Sequence, residues 1–323
     1  MGIETWVHNL LIHIAYLDIF ENDPEWFSEP FFRLAKENLY TITPKQVAKL
    51  PVVNVEDAVK YLRLSGVTNT ENVIYLYLKN LSELWRRRFK FYNILKTQPF
   101  PFTEQIGPRC LLEYGNCEDD LLFSWMSWRK FIYDIDNRSA QETGYLFEPI
   151  LASCLGGESV SHRNSPVKRI DAHGNPTGQG RQIDCYIEEL KEVYELKLRV
   201  TIAASGQGRF GEELSFPYEA QKAGLTPVLI VFDPTPSPLL DWLKATYVSA
   251  GGRYAIGEDA WNLLTDRAGK AMGKYITKYL KPPISKMDSL QLPMPSNIRL
   301  SVSENCLTIS DEAGSCYRIP RTK

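Results

Sequence analysis

Apolar residues recur at helical spacing through the first third of the chain. Val7, Leu10, Leu11 and Ile14 fall on one face, as do Leu76, Leu81 and Leu84, a three-to-four-residue period that predicts amphipathic helices. Further helices are expected over residues 57–64 and 72–96, and Pro99, Pro101 and Pro108 break the pattern into a loop. Ser139, with Glu142 three residues on and Gly156-Gly157 beyond, predicts a capped helix over 139–155. The polar stretch 158–180 reads as a long loop. The period then changes to two. Residues 182–187 and 193–200 are short apolar runs separated by Glu188-Glu-Leu-Lys-Glu192, the pattern of a β-hairpin. A helix with a break at Pro217 is expected over 208–223, and the unbroken apolar run 226–233 reads as a strand buried on both faces. Helices return over 239–281, including 259–268 and 270–280, until Pro282-Pro283 ends them. Residues 298–319 form two or three short strands turning at Ser303-Glu-Asn and Asp311-Glu-Ala-Gly. No internal repeat or low-complexity tract is present. Helix, hairpin, helix and buried strand in that order predict an α/β fold, a mixed central sheet flanked by helices.

Composition changes this picture little. Of 323 residues, 44% are hydrophobic and 24% charged, ordinary for a globular protein with one large core or two smaller ones. The net charge of −2 supplies no bulk attraction to nucleic acid, so any DNA-binding surface must be a local patch. Cys110, Cys117, Cys154, Cys185, Cys306 and Cys316 include no CxxC pair and the four histidines are scattered, which argues against structural zinc. The first residues lack a basic leader and Asp18 interrupts the first apolar stretch. The expectation is a cytoplasmic protein with free thiols and no membrane span.

The chemistry concentrates in the hairpin. Asp184 is followed eleven residues later by Glu195-Leu196-Lys197. Side chains at i and i+2 of a strand share a face, so Glu195 and Lys197 point the same way and Leu196 the other; the partner strand brings Asp184 alongside. Two carboxylates are hard-oxygen ligands suited to Mg²⁺, which can polarise a phosphate, and the lysine can orient or help deprotonate a water and offset developing charge. The motif alone is short, and Glu189-Leu-Lys191 repeats it in the polar turn without apolar flanks. A solvent-facing charged pair on an amphipathic hairpin is the competing reading, contributing about 0.2–1 kcal/mol.

Two neighbours strengthen the catalytic reading. Glu148, in Gly144-Tyr-Leu-Phe-Glu148, lies on the preceding helix among apolar residues, where a carboxylate is costly unless it meets a metal or a partner. The segment Thr201-Ile-Ala-Ala-Ser205-Gly-Gln207-Gly-Arg209 leaves the second strand; its glycines permit close backbone approach, and Ser205, Gln207 and Arg209 offer donors for bases or phosphates. An exposed helix glutamate and a plain connecting loop are the alternatives.

Glu148, Ile183-Asp184 and Glu195-Leu-Lys197, followed by a helix and a buried strand, resemble the PD-(D/E)xK nuclease superfamily, which includes many Type II restriction endonucleases. Ile183 stands where that family often has proline. The stretch from Lys197 to Arg209, continuing through Pro227-Val-Leu-Ile-Val-Phe-Asp-Pro234, looks most like the ApaLI-type restriction endonucleases. The resemblance covers roughly residues 144–280. It implies Mg²⁺ held by Asp184, Glu195, Glu148 and the Leu196 carbonyl, catalysis by Glu148, Asp184, Glu195 and Lys197, and a homodimer cutting double-stranded DNA at a short palindrome such as GTGCAC. The expected organisation is a helical region 1–135 for DNA recognition and dimerisation, a PD-(D/E)xK restriction-endonuclease-like core 136–285 and a β-rich extension 286–323.

The most basic segment holds His162, Arg163, Lys168, Arg169 and Arg181 beside this site, and together with Thr201, Ser205, Gln207 and Arg209 it is the expected DNA-binding surface. Trp85-Arg-Arg-Arg-Phe-Lys-Phe-Tyr92 divides evenly between phosphate contact and a solvated helix with core aromatics. Trp125, Trp128 and Phe131 read as core or dimer interface, His173 lacks partners for an HNH-like site, and Glu212 and Glu213 read as first-turn helix acids, one of which could hold a second metal. Two other functions stay open: a repair or recombination nuclease of the same fold that recognises DNA structure, and a non-catalytic DNA-binding module.

Overall fold

A computed structural model describes residues 5–52, 54–69, 72–171, 173–198, 209–289 and 297–322. The chain divides into two compact units, Met1–Glu83 with Leu146–Ser285, and Leu84–Tyr145 with Lys286–Lys323.

The first unit is built on a five-stranded sheet in the order β1-β4-β5-β6-β7, with β1 (Glu158–Val160), β4 (Ile183–Ile187), β5 (Glu192–Lys197), β6 (Thr226–Val231) and β7 (Arg253–Ile256). The β1/β4 and β4/β5 pairs are antiparallel, β5/β6 and β6/β7 parallel. The expected mixed sheet is therefore present. Its parallel strand β6 is buried from Pro227 to Val231, as a strand covered on both faces must be. Val193, Leu229 and Val231 pack against Phe216 and Ala220 of the Arg209–Lys222 helix and Leu240, Leu243 and Tyr247 of the Pro238–Ser249 helix.

Several boundaries differ from expectation. Ser139 is interior to a helix running Asp119–Leu155. Its hydroxyl donates back to the Ile135 and Asp136 carbonyls, the bond a mid-helix serine makes in place of capping. Gly156 does end the helix in the left-handed region (φ 83°), and the Gly157 N–H closes on the Ala152 carbonyl at 3.0 Å, a Schellman stop. The expected loop 158–180 contains β1 and a separate antiparallel pair, β2 (Lys168–Ile170) with β3 (Pro176–Gly180), strands too short to show a period. Helix 72–96 is interrupted at Arg88-Phe89, and the proline loop holds a short helix, Thr103–Ile106. Pro217 does not break its helix.

Pro282-Pro283 does not stop the C-terminal helix either. Residues Ile276–Leu280 form a π turn and Lys281–Ser289 continue as α-helix. Pro283 has no N–H to give the Tyr279 carbonyl; the Tyr40 hydroxyl supplies that hydrogen at 2.6 Å.

The Thr5–Phe20 helix buries His13 completely among Trp26, Phe27, Phe31 and Tyr61. Its Nδ1 donates to the Asn9 carbonyl (2.7 Å) and its Nε2 accepts the Ser28 N–H (3.3 Å), so the ring is neutral and its tautomer fixed. Burial lowers its pKa to about 4. The unfolded chain takes up this proton near pH 6.5 and the folded chain only near 4, so stability present above pH 6.5 falls as the pH drops across that window, by roughly 3 kcal/mol in all. Denaturant unfolding should show a slope between pH 6.5 and 5 that His13→Gln removes; an equal slope in the two proteins would refute this assignment.

In the second unit β8 (Arg299–Val302), β9 (Cys306–Ser310) and β10 (Cys316–Pro320) form an antiparallel sheet. Leu307 and Ile319 are buried with Ile94, Leu95, Phe131 and Ile135. Among the described residues no helix is long and apolar enough to cross a membrane.

Candidate active site

The hairpin turns through Glu188–Lys191, with Lys191 left-handed (φ 52°). Its ladder pairs Ile187 with Glu192, Tyr186 with Val193 and Cys185 with Tyr194. Asp184 lies one residue past the last of these pairs. There its carboxylate, not a β4 carbonyl, accepts the Leu196 N–H at 3.0 Å. That bond ties the acid to the strand carrying Glu195 and Lys197 and fixes the distance between the two halves of the motif. The turn copy, Glu189 and Lys191, is exposed, so context separates the two as expected.

Glu195 and Lys197 line one cleft of about 250 Å³ with Gln182, Glu213, Phe216 and Tyr247. Lys197 Nζ stands 3.2 Å from Glu195 Oε1 and 3.2 Å from Glu213 Oε1. Burial works against the ammonium, yet these two carboxylates hold its pKa above the ordinary lysine value. The Asp184 pKa is raised as well, which for a carboxylate disfavours the charged form. Burial first, then the charges of Glu195 and Glu148, push its pKa well above the usual range, and burial followed by Glu195 raises that of Glu148. Three carboxylates thus feel one another in a site whose nearest cation, Lys197, is shared with a fourth. Such a set fits a hard divalent ion, whose charge removes the repulsion. Among the described residues no three His, Cys, Asp or Glu side chains are already grouped at ligand spacing. The donor set therefore suits an ion held by one or two carboxylates with water and phosphate completing its shell, the habit of Mg²⁺.

The expected DNA-facing residues are dispersed. Arg163 is exposed and Lys168 half-buried on β2. Arg169 pairs with Glu212 at 3.0 Å. Arg181 is not at the surface: it is 8% exposed, its Nε pairs with Glu219 and its Nη2 donates to the Glu212 carbonyl at 2.8 Å. It braces the Arg209–Lys222 helix. Thr201, Ser205 and Gln207 lie outside the described residues, as does the Arg209 side chain. In the basic aromatic segment Arg88 stacks over Trp85 and Phe89, while Arg87 and Lys90 pair with Glu142. Phe131 is core and Trp125 is 53% exposed.

Two acids differ from the sequence reading: Glu213, expected as a first-turn helix acid or a second metal's ligand, and Glu219, for which the sequence suggested no role. Glu213 contacts Lys197 instead of merely starting a helix, and Glu219 is 3% exposed. The available signal was periodicity: Glu212 and Glu219, seven residues apart, share a helix face whose neighbours Phe216 and Ala220 are apolar.

A family model described as ApaLI-like restriction endonuclease matches residues 40–281. The Type II restriction enzyme ApaLI of Acetobacter pasteurianus is 48% identical over 232 residues, which cover 71% of this chain and 61% of that protein. The chain thus matches about three-fifths of the length of this relative. No solved structure matches.

Proposed function

The chain belongs to the ApaLI-like restriction endonuclease family, and from that premise we propose that it is a Type II restriction endonuclease that hydrolyses double-stranded DNA at a short palindrome with Mg²⁺. The observation that carries the reading is the Asp184 carboxylate seated on the Leu196 N–H, between Glu195 and Lys197. The helix, antiparallel hairpin, helix and parallel strands around it are the arrangement expected of a PD-(D/E)xK core, proposed to lie within residues 136–285. GTGCAC is the proposed site, taken from the family resemblance. A homodimer is the proposed assembly, because a two-fold axis matches a palindrome, and a bacterial cytoplasm the proposed setting.

In this reading Asp184 and Glu195 would hold the ion, and Glu148 and the Leu196 carbonyl, which the resemblance adds to the set, would complete its shell with water and phosphate. Bound there, Mg²⁺ would polarise the scissile phosphate and acidify water. Lys197, flanked by two carboxylates, is held as a cation; its part is to orient the attacking water and offset charge gathering on the phosphate. Arg163, Lys168 and Arg169, on the segment leading into the hairpin, are proposed to contact the DNA backbone, with Thr201, Ser205, Gln207 and Arg209 nearer the bases. Arg181 serves as their internal support. Residues 1–135 and 286–323 are proposed to add recognition and dimer surfaces.

Incubation with plasmid and Mg²⁺, followed by sequencing of the ends, tests this. Discrete fragments with one palindrome at every end are expected. Smears, junction-specific cutting or intact plasmid would each overturn it.

A further inference from the structure

Lys197 has two carboxylate partners, and only one of them belongs to the motif. Glu213 stands at the start of the Arg209–Lys222 helix, half-buried, its Oε1 3.2 Å from Lys197 Nζ, the same distance as Glu195 Oε1. The helix beneath it is held firmly: Arg181, buried, grips the Glu212 carbonyl one residue away and the Glu219 carboxylate further on. We propose that Glu213 is a positioning residue that fixes the Lys197 ammonium in the cleft while Glu195 serves as a ligand. This rests on the nuclease reading above.

A lysine has four rotatable side-chain bonds and much rotamer entropy to lose. If Glu195 were its sole tether, committing that carboxylate to an ion would weaken the hold on the ammonium at the moment its place matters. A second tether on a braced helix keeps the charge in place throughout, which is how supporting residues act on a reacting group. Both carboxylates stand 3.2 Å from Lys197 Nζ. Glu195 is the one next to the Leu196 N–H that seats Asp184, whereas Glu213 reaches the lysine from the Arg209–Lys222 helix, so the ligand's part falls to Glu195 and the lysine's tether to Glu213.

Glu213→Met keeps the side chain's length and removes both charge and acceptor; Glu213→Gln keeps the acceptor. Single-turnover cleavage of plasmid should slow about 10- to 100-fold in Glu213→Met, since displacement of a reacting group by about 1 Å costs that order. Glu213→Gln should retain most of the rate. Both should reach half-maximal rate at the wild-type Mg²⁺ concentration, within about threefold. A Mg²⁺ requirement raised tenfold or more in Glu213→Gln would make Glu213 a ligand and overturn the proposal, as would an unchanged rate in Glu213→Met. The second readout needs no activity. Crystal structures of the metal-free proteins should show Lys197 Nζ displaced by more than about 1 Å in Glu213→Met with Glu195 unmoved; an unmoved Nζ overturns the proposal. If the wild type cuts nothing, the nuclease reading fails, and these structures alone decide whether Glu213 places the lysine.

Discussion

Replacing Asp184 with asparagine is expected to lower cleavage by about 10³-fold or more, equivalent to some 4 kcal/mol of transition-state stabilisation, and at the same time to raise the melting temperature of the metal-free protein by a few degrees. The two effects share one cause. Asp184 is half-buried near Glu195 and Glu148, and its carboxyl is held well above the usual pKa range by desolvation and by those charges. Without an ion this repulsion works against the fold; in the proposed reading it is what a bound ion would relieve. Asparagine keeps an oxygen for the Leu196 N–H, so the strand geometry should survive while the charge is lost. Glu195→Ala is expected to abolish cleavage in the same way without unfolding the protein, because Lys197 keeps Glu213 as a partner. Calorimetry with and without Mg²⁺, alongside single-turnover rates, separates the effects. Stabilisation by Mg²⁺ should be present in the wild type and largely absent in Asp184→Asn. An Asp184→Asn protein that cuts at the wild-type rate would remove Asp184 from the site, and a Glu195→Ala protein that still cuts would leave the charged hairpin a structural feature.

The parts of the site legible in the sequence are those governed by local period. Glu195 and Lys197 share a face because a strand repeats every two residues, and Asp184 meets them because the turn is short enough to make the strands neighbours; both follow from spacing alone. Arg181 was misread because the segment before it is basic and polar, which suggests a surface. What buries it is Glu219, thirty-eight residues on, a partner no local window contains. Glu213 escaped for the same reason: an acid in the first turn of a helix has an ordinary explanation in the helix dipole, and its real neighbour is set by packing of that helix on the sheet. The helix ends show the limit of local signals from the other side. Ser139 with Glu142 has the pattern of a capping box, yet the helix runs through it, and Pro282-Pro283 has the pattern of a stop, yet a π turn and the Tyr40 hydroxyl on the Tyr279 carbonyl absorb the lost donor.

Arg181 also carries the largest expected effect on stability. Truncating one partner of a buried ion pair leaves the other charge uncompensated, at a cost of about 3–5 kcal/mol. In Arg181→Met, Glu219 would keep the Ile170 N–H at 3.2 Å but lose its counter-ion, and the Glu212 carbonyl would lose its donor. A melting temperature lower by about 10 °C or more is expected for a unit of this size. Removing both charges should reverse much of this, because two apolar side chains of similar volume avoid the desolvation that the pair had to overcome. Arg181→Met with Glu219→Leu is therefore expected to recover to within about 1–2 kcal/mol of the wild type. Cleavage should not recover with it. Arg181 holds the backbone beside Glu213, and an apolar pair restores packing without restoring that grip on the Glu212 carbonyl. Stability regained with cleavage still reduced about tenfold or more is the expected pattern, a loss of placement and not of fold. A double variant that recovers both would show that packing alone sets the helix, and that Arg181 contributes charge compensation only.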